Sequence, residues 1–184
     1  MNVLNKNIEA ICLLLLASMF FWFPYHLKQS GIAHHKILVA TENLHDRVFE
    51  RTVILVLQDT GYGAFGLVLN KPPKNKKDPH IGGPVEVDSY YTLHALSVTD
   101  PGTLSMTDLQ VGYTTGAAFA NSVSKMREKP EYITFKGSTG WGRGQLSREI
   151  FSGDWKVINF DRDLVFHTDP QKMWDIAIKQ ADAG

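Results

Sequence analysis

The sequence predicts a single α+β domain, and three observations predict it. Short apolar or alternating runs crowd the first half, helix-period runs come later, and strand and helix patterns alternate near the end. No internal repeat and no long linker divides residues 31–184. The chain has 184 residues, 43% apolar and 21% charged, which suits one core of ordinary size and is too apolar for global disorder. A three-layer arrangement of the same elements is the alternative.

Residues 36–41 read as a first strand, short and partly β-branched. Residues 42–50 form a polar connection carrying Asp46, Arg47 and Glu50, with Phe49 as its inward anchor. Residues 52–57, Thr-Val-Ile-Leu-Val-Leu, are apolar almost throughout, which predicts a strand covered on both faces. Asp59-Thr60-Gly61-Tyr62-Gly63 is a turn signal, so residues 64–70 return as the second arm of an antiparallel hairpin. Gly66 within that arm predicts a bulge or a close backbone approach. Pro72 and Pro73 end it, because proline brings no ladder donor. Lys71, Lys74, Lys76 and Lys77 then make a basic, solvated loop.

Ile81-Gly82-Gly83-Pro84-Val85 punctuates the chain before a strand over residues 90–96, where Thr92 and His94 share a face. Asp100-Pro101-Gly102 is a turn, and residues 109–113 are a short strand. Residues 115–128 carry Ala118, Phe119, Val123 and Met126 at helical spacing, with Thr114 or Thr115 to cap them. A strand over 131–136 leads into the glycine-rich stretch beginning at Gly137. That stretch predicts a tight strand-to-helix passage with Trp141 packed over it and a helix over 145–151. Residues 155–160 are a late strand, and 164–166 extend the same layer. Asp169 caps a last helix with Pro170 in its first turn. Met173, Trp174, Ile176, Ala177 and Ile178 face its packing partner.

Residues 1–30 form a separate apolar segment. Residues 10–23 carry no charge, but as a helix they span about 21 Å against about 30 Å for a bilayer core. Extended over 8–27, the run reaches twenty residues only by taking in Glu9, Pro24 and His26. A membrane anchor, a signal peptide and a helix docked on the domain are the three readings. A clean small-residue cleavage site is missing for the second. The expected location is membrane-anchored or cytoplasmic, with export left open. Cys12 is the only cysteine, so neither an internal disulfide nor a thiolate zinc site can form.

Catalytic signatures do not appear. Gly137-Ser138-Thr139-Gly140 lacks the spacing of a nucleophile elbow, and no phosphate-binding loop occurs. Gly140-Trp141-Gly142-Arg143-Gly144 offers backbone donors for an anion, but the bulk of Trp141 favours packing. No His-Glu-x-x-His occurs. His34 and His35, if extended, point oppositely and cannot share an ion. His94 with Asp88, or His167 with Asp169, are candidate pairs that lack a third partner. No catalytic, cofactor-binding or metal-ligating residue is assigned. A net charge of zero and the absence of a helix-turn-helix speak against nucleic acid as a partner.

A set of motifs runs in order over residues 31–180. They are Leu38-Val39-Ala40-Thr41, Leu44-His45-Asp46 and Phe49-Glu50-Arg51-Thr52-Val53, then Gly63-Ala64-Phe65-Gly66-Leu67-Val68-Leu69-Asn70-Lys71-Pro72. Gly82-Gly83-Pro84-Val85 and Leu93-His94 follow. The most specific is Gly140-Trp141-Gly142-Arg143-Gly144-Gln145-Leu146, with Glu149-Ile150 and Trp155 after it. Taken together, these motifs resemble the YqgE/AlgH (UPF0301) family of uncharacterised bacterial proteins. The resemblance implies a bifurcated sheet closed into a pseudo-barrel, flanked by helices, and no established enzymatic activity. Some members are named transcriptional regulators of alginate production.

The resemblance puts Phe49, Arg51, Asn70, Gly83, Pro84, Trp141, Gly142 and Gln145 at family-typical positions, as structural or surface residues. Two departures stand out. The connection from Pro72 to Gly82 is short, with Lys71 in place of the usual arginine, and the apolar N-terminus is unusual for the family. The leading expectation is a non-enzymatic regulatory or adaptor protein with a protein partner. The alternatives are a small-ligand binder or enzyme using a cleft near Gly83, His94 and Arg143, and a regulator contacting DNA.

Overall fold

The computed structural model describes residues 31–75, 78–97 and 101–184. The described chain forms nine strands and four helices. The strands are β1 (Ile37–Ala40), β2 (Val53–Thr60), β3 (Gly63–Val68), β4 (His80–Ile81), β5 (Val85–Ala95), β6 (Leu104–Met106), β7 (Val111–Thr115), β8 (Tyr132–Gly142) and β9 (Trp155–Ile158). The helices are α1 (Ala118–Ser124), α2 (Gln145–Phe151), α3 (Arg162–Phe166) and α4 (Pro170–Ala183). Strand order is β6-β7-β5-β8-β3-β2-β1-β9, and β4 adds a parallel pairing to β8. This mixed sheet curls into a half-barrel flanked by the four helices, an α+β pseudo-barrel.

Alternation along β1 and the Val53–Leu57 part of β2 explains why both runs are apolar throughout. Ile37, Val39, Val53 and Leu55 face one core with Leu164, Met173 and Ala177 of α3 and α4. Leu38, Ala40, Ile54 and Val56 face a second core with Trp141, Leu146 and Trp155. The hairpin pairs β2 with β3 antiparallel, and the register shifts between Val56 and Gln58. A Cβ on Gly66 would lie 2.7 Å from the Leu55 carbonyl oxygen, so the strands approach closely next to the bulge.

The sheet forks at β8. Thr139–Gly142 pair with β3, whereas Tyr132–Lys136 pair with β5. Between them β3 and β8 diverge, and the segment 80–82 fills the gap. Val68 N donates to Gly82 O at 2.8 Å and Ile81 N to Lys71 O at 3.0 Å on one side; Gly82 N donates to Lys136 O at 2.9 Å on the other. Only glycine fits the crossing. Gly137 has φ +74 and Gly83 φ +149, and a Cβ on Gly83 would lie 2.1 Å from Ser138 O.

Several expectations are corrected. The glycine stretch is the second half of β8, and Arg143-Gly144 alone makes the turn into α2, with Gly144 left-handed at φ 66. The expected helix over 115–128 shrinks to the seven residues of α1, because β7 runs to Thr115 and the N-cap is Ala117 with no side-chain bond. Residues 164–166 belong to α3, since the Asp161 carboxylate caps Asp163 N and Leu164 N. In α4 the Asp169 cap holds, but Ile176 is 40% exposed. Strands β4 and β6 were not expected, and β5 begins at Val85 rather than residue 90.

Residues 8–27, with Cys12, lie outside the described residues, as do Lys76, Lys77 and Asp100. The membrane anchor, and with it a membrane partner and location, is withdrawn. Among the described residues no helix is long and apolar enough to cross a bilayer. The longest, α4, has 14 residues, about 21 Å of helix.

Candidate functional site

Two constellations account for most of the motif residues. The first surrounds Glu149. Its Oε2 accepts from Trp141 Nε1 at 2.8 Å and from Trp155 Nε1 at 2.9 Å, and its Oε1 accepts from Gln145 Nε2 at 2.8 Å. Gln145 Oε1 accepts from Gly142 N at 3.0 Å. The two indoles meet edge-on at 6.1 Å, and Phe49 meets Trp155 edge-on at 6.2 Å. Trp141 and Trp155 are buried. Placement of Gln145 and Glu149 four apart on α2 turns both toward the sheet. Each polar atom here is consumed internally, so the most specific motif is a lock between α2, β8 and β9.

The second constellation is an exposed recess of about 350 Å³ between the β1–β2 connection and α4. Arg51 and Trp174 form its frame. Arg51 is left-handed at φ 53. Its guanidinium lies 3.8 Å from the centre of the Trp174 ring, and Nη2 donates to Asp175 Oδ1 at 2.6 Å. Trp174 is itself fixed by Nε1 donating to Ala40 O at 2.8 Å. Asn70 sets the backbone below: Oδ1 accepts from Val53 N at 2.9 Å and Nδ2 donates to Arg51 O at 2.8 Å.

Asp46 shapes the connection, its Oδ1 accepting from Val48 N at 2.8 Å. Lys71 Nζ donates to Val48 O. Burial lowers the Lys71 ammonium below its ordinary range, against the opposing charge of Asp46. Glu42, His45, Asp46, Arg47, Glu50 and Arg51 line the recess, all exposed. Thr41 also lines it, but its hydroxyl is committed to Gly153 O at 2.6 Å. The recess therefore offers charge of both signs on a fixed frame.

The expected cleft near Gly83, His94 and Arg143 is not assembled. Gly83 backs onto Ser138 at the fork, and His94 is fully buried with its ring 4.2 Å from that of Phe119. Arg143 lines a separate recess with Asp59, Gly63 and Ser147, which neither of the others reaches. Pro84 is exposed beside the fork, and Ser138 is buried. His94 Nδ1 bonds Ala95 O, while Asp88 pairs with Lys136. His167 pairs with Glu131 at 2.8 Å rather than with Asp169. His34 and His35 stand in a turn with stacked rings, not in an extended run. No group of three metal-ligating side chains converges among the described residues.

The recess was only half legible. Its lower wall lay in the charged 42–51 run, but Trp174 and Asp175 come from more than 120 positions later; the sequence showed Trp174 only as a packing residue of the last helix and gave Asp175 no role.

The AlgH-like family model (DUF179) matches residues 37–183. A UPF0301 protein of Chlamydia pneumoniae is 29% identical over 171 residues, covering 85% of this chain and 88% of that protein. A UPF0301 protein of Chlorobaculum tepidum is 30% identical over 166 residues, covering 78% and 84%. The solution structure of the AlgH protein from Pseudomonas aeruginosa superposes with a TM-score of 0.70 at 24% identity, covering 83% of this chain and 91% of that one. The crystal structure of protein DIP2367 from Corynebacterium diphtheriae gives 0.67 at 19%, covering 83% and 89%. With the fork, the tryptophan lock and a family match spanning nearly the whole described fold, the chain belongs to the YqgE/AlgH (UPF0301) family.

Proposed function

We propose that the protein is a non-enzymatic binding module, an adaptor or regulator that presents the Arg51 recess to a protein partner. One observation carries the reading. The exposed motif side chains of the β1–β2 connection, His45, Asp46, Glu50 and Arg51, gather at one recess, whereas Trp141, Gln145 and Glu149 are spent on internal bonds. Arg51 is held over the Trp174 ring and paired with Asp175 before any partner arrives, so little side-chain freedom is lost on docking. Exposed charges of both signs favour register and choice of partner over raw affinity.

The test is quantitative affinity purification of the full chain from its native cells, comparing wild type with Arg47→Glu/Glu50→Lys. The expected result is a discrete set of proteins recovered by wild type and depleted at least about tenfold by the variant, which is roughly 1.4 kcal/mol of binding. Surface substitutions of this kind change stability by about 0.5 kcal/mol or less, so the variant stays folded. Equal recovery by the two proteins contradicts the reading.

A further inference from the structure

The turn over residues 31–36 is laced to β2 through Asp59, and a histidine forms part of the lacing. Gly31 N donates to Asp59 O at 2.7 Å, and Ala33 N donates to Asp59 Oδ2 at 3.0 Å. Asp59 N in turn donates to His34 Nδ1 at 3.2 Å. Asp59 is buried, and a Cβ on Gly31 would fall 2.0 Å from its carboxylate. His35, left-handed at φ 57, stacks its ring 3.9 Å from that of His34. Its Nδ1 lies 3.0 and 3.1 Å from the two carboxylate oxygens of Asp108, in the turn after β6. This clasp seats the junction between the first thirty residues and β1, a place the Arg51 recess does not touch.

We infer that His34 is the proton-sensitive member of this clasp, closing the 31–36 turn on β2 when its ring is neutral and releasing it when protonated. The chemistry follows from the bond. To accept from Asp59 N–H, Nδ1 must carry a lone pair, so a proton there removes the acceptor and sets two donors against each other. Protonation also places a charge against the stacked His35 ring. The charged groups facing His34 are His35 on its own turn, Asp59 on β2 and Asp108 from the β6–β7 turn, while Lys36 turns away to Asn159. The two carboxylates favour the charged ring, but burial and His35 outweigh them and hold it below its ordinary range. For Asp108, burial acts upward and the bond and charge of His35 overcome it, so this carboxyl lies below its usual range. Asp108 therefore stays ionised while His34 titrates.

Hydrogen exchange of the full chain at pH 7.5, 6.5 and 5.5, corrected for intrinsic rates, tests the clasp. The opening constant of the amides of Ala33, His35 and Lys36 is expected to rise as pH falls below the ordinary histidine value of 6.5, by up to about tenfold per unit, and to level off below the midpoint of His34 in the closed turn. His34→Gln keeps a neutral acceptor, so its opening is expected to be flat with pH, while His35→Gln keeps the slope. NMR titration of the wild-type histidine rings supplies an independent reading, and the rise in opening is expected to level off at the His34 midpoint. A flat wild-type profile, a slope that survives in His34→Gln, or a levelling-off at another group's midpoint overturns the inference.

Discussion

At the scale of single residues, Glu149 ties α2 to β8 and β9. One carboxylate takes both indole N–H groups and the Gln145 amide. Glu149→Ala strands two buried donors and is expected to destabilise the fold by about 2–4 kcal/mol, read as a lower urea midpoint with altered tryptophan emission. Trp141→Ala is expected to cost about 3–5 kcal/mol, since the ring is buried in the second core. A midpoint at the wild-type value would reject either role. Histidines set the pH dependence. Burial lowers both His34 and His80 below the ordinary 6.5. The unfolded chain then binds more protons as pH falls through 6.5, so this part of the stability is present above that value and lost below it. The urea midpoint is expected to be lower at pH 5.5 than at 7.5. The sequence showed Trp141 as a packing residue and carried Glu149 in a family motif, but the bond between them was not visible, because it crosses elements.

At the scale of elements, the legible parts were those whose periodicity is set by burial. β1, β2, β3, α2 and α4 stand where the apolar pattern put them, since each buries a regular face. The misread parts were decided elsewhere. The Gly137–Gly142 run looks like a turn by composition, yet it is strand, because the fork needs a backbone that others can approach closely. The 164–166 run is too short for its period to show, and the Asp161 cap settles it as helix. Asp161→Ala is expected to cost about 1 kcal/mol and to loosen α3 against the first core, seen as faster amide exchange over residues 162–166. Gly83→Ala is expected to be far worse than a loop substitution. Its φ is strained for any side chain and its Cβ would overlap Ser138 O, so a loss of about 3 kcal/mol or more is expected, measured by the yield of folded protein and its urea midpoint.

At the scale of the whole molecule, the family motifs divide into two groups. Those at the fork and the tryptophan lock shape the half-barrel, and those on the β1–β2 connection line an exposed recess framed by Arg51 and Trp174. The sequence carried both groups in order without separating them, because burial of a motif is a property of the folded chain. The division predicts that substitutions in the two groups fail differently. The most direct measurement is urea unfolding of two variants beside wild type, Glu149→Ala from the lock and Arg47→Glu/Glu50→Lys from the recess, with each protein also scored for partner recovery. The expected result is a midpoint that drops for the lock variant and stays at the wild-type value for the recess variant, which alone loses partners while fully folded. A recess variant that unfolds as early as the lock variant, or that recovers partners as wild type does, would contradict the account.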